Sequence, residues 1–339
     1  MLKIPISVLE LAIVTEGGNA ATAIAGTVEV AKRAESLGYT RIWMAEHHNM
    51  EHIASSATAI LIGHVAGKTN HIRVGSGGIM LPNHTPLAIA EQFGTLETIY
   101  NGRIDLGLGR APGTDQATAA ALRRNNMNST YNFPTDIREL QTYFSTRNSS
   151  SRVRAFPGEG LSLPIWILGS STDSAHLAAQ MGLPYAFAAH FAPAQFRQAI
   201  NIYRQEFRPS PQLDKPYVLA CVNVMAADTD EEAEFLSTSL YRMFMGILTN
   251  TRSPLQPPAP LGPEFYTPDV KYAVDSMTSC TFTGNEETLR QKLSVFIAET
   301  GIDELMVTSH VYDPAAKLKS FSILKNAMTI KEYESNTVI

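Results

Sequence analysis

From residue 4 to residue 328, short apolar runs and helix-length amphipathic stretches take turns, and nothing else in the chain constrains its fold so strongly. Runs at 4–9, 41–46, 72–78, 104–108, 164–168, 185–189, 217–225 and 305–308 have the length and composition of strands. Helical patterns follow at 20–37, 55–68, 86–99, near 136–144, 173–181, 194–207, 230–247, 286–299 and 315–328. In the first of these, Ile24, Val28, Ala31 and Leu37 form one stripe and Gly38 stops it. Pro86 opens the third, at a position where a missing N–H is harmless. Strands that alternate with helices build a parallel sheet. Eight such units predict an α/β fold, a closed (β/α)8 TIM barrel, with a doubly wound open sheet as the alternative. Two stretches break the rhythm, 111–163 after strand 4 and the proline-rich 250–275 after strand 7. Both read as insertions, and long insertions on such a scaffold are candidates to cover a site. The 339 residues are read as a single domain, 1–339.

Composition narrows the function classes. Hydrophobic residues at 44% and charged ones at 17% supply a large core and argue against disorder. The net charge of −5, without a basic block, argues against a nucleic-acid partner. No apolar run approaches the length that spans a bilayer, and residues 1–11 lack the pattern of a secretory signal. Cys221 and Cys280 have no metal or redox spacing, and a reduced, cytoplasmic protein is the expectation over one disulfide.

Polar groups sit just past several of the apolar runs, where barrels of this kind place their chemistry. Glu46-His47-His48 follows strand 2, with His52 four residues on. An imidazole there suits proton transfer near neutral pH, and Glu46 can orient one of the rings. His47, His48 and His52 also suit a metal-dependent hydrolase, although no further ligand set stands at the other strand ends. Gly77-Gly78 ends strand 3, which permits close approach or unusual backbone geometry, or marks an ordinary bulge. The run from Gly107 to Gly113 fails as a dinucleotide fingerprint, because its glycines are misspaced and no striped helix follows. Arg110 within it suits a phosphate, or else a salt bridge to a loop carboxylate such as Asp115. Leu168 to Ser174 is a Gly/Ser/Thr turn entering a helix, either a phosphate cradle or a simple cap.

Taken in order, Ala45-Glu46-His47-His48, Val74 to Pro82 with His84-Thr85-Pro86, Ala90-Glu91-Gln92 to Leu96, and Gly102-Arg103 to Arg110 resemble the bacterial luciferase-like flavin monooxygenase superfamily, nearly end to end. The resemblance implies a TIM barrel that uses reduced FMN, supplied by a separate flavin reductase, and O2 on a small organic substrate. It implies a homodimer. His47 matches the catalytic histidine, and Gly77-Gly78 matches a non-proline cis peptide beneath the flavin ring. Arg110 with Ser170, Ser171, Thr172 and Ser174 matches the phosphate site. Glu46 and Gly109 match positions beside the flavin, and His190 and Phe191 match the substrate-pocket wall. A histidine at 190 departs from the light-emitting pattern. A deazaflavin in place of FMN, a flavin-binding protein without turnover, and the metal-dependent hydrolase are the alternatives.

Overall fold

The computed structural model describes residues 4–123 and 132–329. Nine strands run parallel: β1 (Ile6–Glu10), β2 (Arg41–Met44), β3 (Arg73–Met80), β4 (Ile104–Gly109), β5 (Ile165–Gly169), β6 (Tyr185–Phe187), β7 (Val218–Ala226), β8 (Thr281–Gly284) and β9 (Glu304–Thr308). Neighbours pair in chain order from β1 to β7, β7 pairs β9, and β9 returns to β1. Eight strands therefore close a (β/α)8 barrel, and the open-sheet alternative is excluded. The ninth, β8, is outside the eight runs expected from the sequence. It pairs with Asn223–Ala226, past the Val218–Ala220 stretch that pairs with β6.

Side-chain alternation builds two cores from each strand. In β2, Ile42 and Met44 face the helices while Trp43 faces the barrel axis; in β9, Leu305 and Val307 face out and Met306 faces in. The axial core joins Leu9, Trp43, Trp166, Leu219, Cys221 and Met306 from five different strands, with Trp43 and Trp166 edge to face at 5.1 Å. Below it, at the N-terminal strand ends, lies a charged plug. Arg41 bridges Asp105 (2.7 Å) and Glu304 (2.9 Å), Arg73 reaches Asp105 at 2.6 Å, and Trp43 Nε1 and Tyr217 Oη donate to Asp105 and Glu304. The plug fills the base of the barrel, where Arg41, Arg73 and Asp105 line a cavity with Trp166 and Tyr217.

The described parts of both insertions contain helices. Phe133–Phe144 is a helix, and its Phe133, Ile137, Leu140 and Phe144 are buried. It packs against the helix Pro86–Ile99, so it serves as the regular crossover between β4 and β5 and not as cover. Part of the second insertion, with the helix Pro268–Met277, closes a third core of Met225, Leu240, Phe244, Phe265, Val274 and Val311. Cys221 and Cys280 are both free. Among the described residues no helix is long and apolar enough to cross a membrane.

Candidate functional site

At the C-terminal strand ends, three loops are zipped together. Val14 N–H donates to the His52 carbonyl, Ala54 N–H to Ala12, Leu255 N–H to Val14, and Glu16 N–H to Leu255, all at 2.8–3.0 Å. The loops after β1, β2 and β7 thereby form one wall. Behind it is a cavity of about 280 Å³, lined mostly by apolar side chains, with His47, His190 and His310 among its walls.

His47 is held by its Nδ1, 3.3 Å from the Gly113 carbonyl. A carbonyl only accepts, so Nδ1 carries the hydrogen and Nε2 of the neutral ring keeps its lone pair. Burial lowers the His47 pKa from its ordinary value, against a smaller upward pull from the Gly113 bond and Glu46. Beneath it, Glu46 ties the rim together. Its oxygens accept from Met80 N–H (3.1 Å), Asn83 Nδ2 (3.1 Å), His48 Nε2 (2.9 Å) and His84 Nε2 (3.0 Å). Burial works against this charge, yet the hydrogen bonds from His48, His84 and Asn83 outweigh it and hold the carboxyl down at about 2. Asn83 Nδ2 also donates to the Pro112 carbonyl at 2.9 Å. The line Glu46–Asn83–Pro112–Gly113 therefore fixes the acceptor that orients His47.

The three histidines of the hydrolase alternative diverge: His48 turns to Glu46, His47 to Gly113, and His52 lies beside Arg252. Among the described residues no group of three His, Cys, Asp or Glu side chains is arranged to hold a metal ion.

Gly77-Gly78 is a cis peptide. On the Cβ side of these glycines the barrel itself comes close. A Cβ on Gly77 would meet Leu9 at 2.7 Å and Trp43 at 2.9 Å, and one on Gly78 would meet the Gly107 carbonyl at 2.8 Å. A Gly78→Val substitution would clash with β4 before it touched any ligand. Gly109 is bare against Met80 for the same reason, a Cβ there lying 2.7 Å from its sulfur.

Arg110, at the end of β4, does not pair with Asp115, which instead caps the helix Gln116–Arg123 through Thr118 and binds Asn49. The guanidinium reaches across the rim to Asp173, Nη2 to Oδ2 at 3.1 Å. Asp173 lies in the first turn of the helix Thr172–Met181, whose N-cap Ser171 makes no side-chain capping bond. Arg110 and the 170–174 turn thus come together as the sequence reading expects. Within the turn, Thr172 N–H is satisfied by Gln195, and Ser174 Oγ is turned inward to the Ser171 carbonyl and Tyr185 Oη. Among the described residues, the first-turn N–H groups other than that of Thr172, the Ser170 and Thr172 hydroxyls and most of the Arg110 fork are left without a protein partner, an arrangement suited to an anion.

Sequence reasoning missed His310, Asn223, Arg242 and Arg252. His310 was reachable by counting in twos from the inward-facing Met306, through Thr308. His190 Nδ1, His310 Nδ1 and Asn223 Oδ1 are buried polar atoms without a protein partner. Burial pushes both imidazoles down to about 3, helped for His190 by His47 and for His310 by Lys317 and His190. Phe191 stands edge-on to His190 at 4.8 Å. Because both histidines titrate lower when folded, their contribution to stability is complete above about pH 6.5 and is lost as pH falls towards about 3. Between pH 6.5 and 4, urea unfolding of wild type should weaken faster than that of His310→Gln, by at most about 1.4 kcal/mol per pH unit. Equal losses would show that His310 is not held neutral.

The sequence model of the family described as luciferase-like monooxygenase matches residues 6–304. The chain belongs to the luciferase-like monooxygenase family. A luciferase-like monooxygenase of Escherichia coli strain K12 is 47% identical over 97% of each chain. N-acetyl-S-alkylcysteine monooxygenase of Bacillus subtilis strain 168 is 30% identical over 96% of this chain and 98% of its own. The crystal structure of apo-MsnO8 superposes with a TM-score of 0.86 at 32% identity, over 97% of this chain and 100% of the other. The fold is also shared, at 18% and 14% identity and TM-scores of 0.68 and 0.66, with an FMN complex of the oxygenating constituent of 3,6-diketocamphane monooxygenase from Pseudomonas putida and with an F420-dependent secondary alcohol dehydrogenase. These cover 96% of this chain and 98% of the first, and 97% and 100% for the second.

Proposed function

We propose that this family member is a flavin-dependent monooxygenase that uses reduced FMN, delivered by a separate reductase, and O2 on a small organic substrate. The observation that carries the reading is the Arg110–Asp173 contact, which sets a guanidinium against a helix N-terminus without a side-chain cap on the same barrel rim as His47. An exposed pair of this kind contributes under about 1 kcal/mol, so a phosphate can displace the carboxylate. His190 and His310, whose Nδ1 atoms have no protein partner, line the otherwise apolar mouth and give the polar edge of a planar heterocycle something to bond.

When bound, reduced flavin supplies the electrons that activate dioxygen. The chain's own residues do the rest. Arg110, Ser170, Ser171 and Thr172 hold the phosphate end, while Ser174 braces their turn. Gly77, Gly78 and Gly109 let β3 and β4 and their neighbours pack closely, so that bare backbone supports the ligand at the rim. Glu46 acts as a positioning residue, because its oxygens are occupied by the protein. His47 accepts or returns a proton at Nε2. His190 and Phe191 line the substrate chamber, and the zipped loops exclude water from it. An F420-type deazaflavin is the second reading, favoured by the fold shared with an F420-dependent enzyme.

Arg110→Ala is expected to weaken FMN by about tenfold or more and riboflavin by less than about twofold, measured by fluorescence quenching. Equal losses for the two flavins would remove Arg110 from the phosphate.

A further inference from the structure

The cavity behind the loop wall is electrostatically one-sided. Its body is apolar, from Leu11 and Ile53 to Met243 and Phe244. Two guanidiniums, Arg242 and Arg252, line it, and among the described residues no aspartate or glutamate does. Among the described residues, Arg41, Arg73, Arg110, Arg154, Arg197 and Arg290 each reach a carboxylate within 4.0 Å, and Arg103 and Arg204 are met by several carbonyl or hydroxyl oxygens. Among the described residues, Arg242 donates only to the Pro257 carbonyl, at 2.8 Å, and the exposed Arg252 meets only the Met50 sulfur, at 3.9 Å. Neither contact neutralises the charge. The cationic effect is felt nearby: after burial, Arg252 is the main influence lowering His52. The imidazoles on the other side are held neutral, so they do not extend the positive region inward.

The arginines also stand on fixed supports. Arg242 is in the helix Asp230–Leu248. Arg252 precedes Leu255, whose backbone bonds to Val14 and Glu16 pin the loop to the segment after β1.

We propose that the cavity takes an amphipathic monoanion, its carboxylate-type head held by Arg242 and Arg252 and its apolar body extending towards His47. An apolar wall with a few placed charges is how small-ligand sites set orientation. Planar guanidiniums match a carboxylate's two oxygens. The head end stands on the cavity alone, while oxygenation of the end near His47 rests on the flavin reading.

The test is calorimetric titration of the full chain with octanoate, 1-octanol and octylamine, with and without saturating FMN, at pH 7.5. Octanoate should bind at least about tenfold tighter than 1-octanol, and octylamine most weakly. Arg242→Gln combined with Arg252→Gln should bring octanoate to the level of 1-octanol, while the Lys counterparts keep most of the preference. The FMN-to-riboflavin affinity ratio should be unchanged in the Gln variant. Wild type that binds 1-octanol as tightly as octanoate, or a Gln variant that keeps the octanoate preference, would overturn the proposal. So would a Gln variant that loses FMN selectively over riboflavin, because the arginines would then serve the flavin phosphate. Octanoate selectivity in a protein that binds no FMN would support the anion site and reject the flavin reading.

Discussion

His47→Ala is expected to reduce product formed per reduced FMN consumed by about 10²–10⁴, while FMN affinity changes by less than about threefold. The reason is local. Gly113 accepts the Nδ1 hydrogen, so Nε2 is the atom left to take or give a proton at the cavity wall. The Glu46–Asn83–Pro112 line holds that carbonyl in place without the imidazole, and alanine should leave the rim standing. Burial lowers the His47 pKa, so the ring is neutral at pH 7 and activity that needs the free Nε2 should decline only when acidification passes below the ordinary histidine range. The acid limb should vanish in His47→Ala. Turnover at the wild-type level in that variant, with any substrate the wild type oxygenates, would strip His47 of its role.

Asp105→Ala is expected to cost about 3–5 kcal/mol of stability in urea unfolding, with flavin affinity of the folded protein unchanged. Asp105 is fully buried and accepts from Arg41, Arg73 and Trp43 Nε1. Its removal leaves Arg41 with Glu304 alone and strands part of the guanidinium in the barrel base. The plug lies at the N-terminal strand ends, opposite the candidate site, which is why stability and binding should separate. A loss below about 1 kcal/mol would mean that water or repacking replaces the carboxylate freely.

The barrel was legible because eight of its strands are short, apolar and regularly spaced, and each alternates between an axial and an outward core. β8 was not, because Thr281–Gly284 is short, largely polar and only partly buried, and it pairs along the far half of β7 outside the ring. The helix Phe133–Phe144 was placed inside an insertion because its stripe is preceded by a stretch without periodicity; its burial against Pro86–Ile99 makes it a regular barrel element. In the site, single strand ends announced His47, Arg110 and the Ser170 turn. Glu46 was visible with its neighbour His48, but its other three donors, Met80, Asn83 and His84, come from the next strand and its loop, more than thirty residues on in sequence. The glycine pair illustrates a different gap. Sequence shows that a side chain is excluded, and only the register of Gly77 against Gly107 shows that the neighbouring strand excludes it. Arg242 and Arg252 were invisible as a pair, since their significance lies in the carboxylates they lack.

The proposed function requires a reduced flavin lying across the barrel mouth with its phosphate at Arg110 and the Ser170–Ser174 turn. Anaerobic titration with reduced FMN, followed by admission of air, tests this most directly. The prediction is saturation at one FMN per chain, at least about tenfold tighter than reduced riboflavin, with oxygen then consumed at the bound flavin. No saturable binding of reduced FMN, or binding that ignores the phosphate, would contradict it.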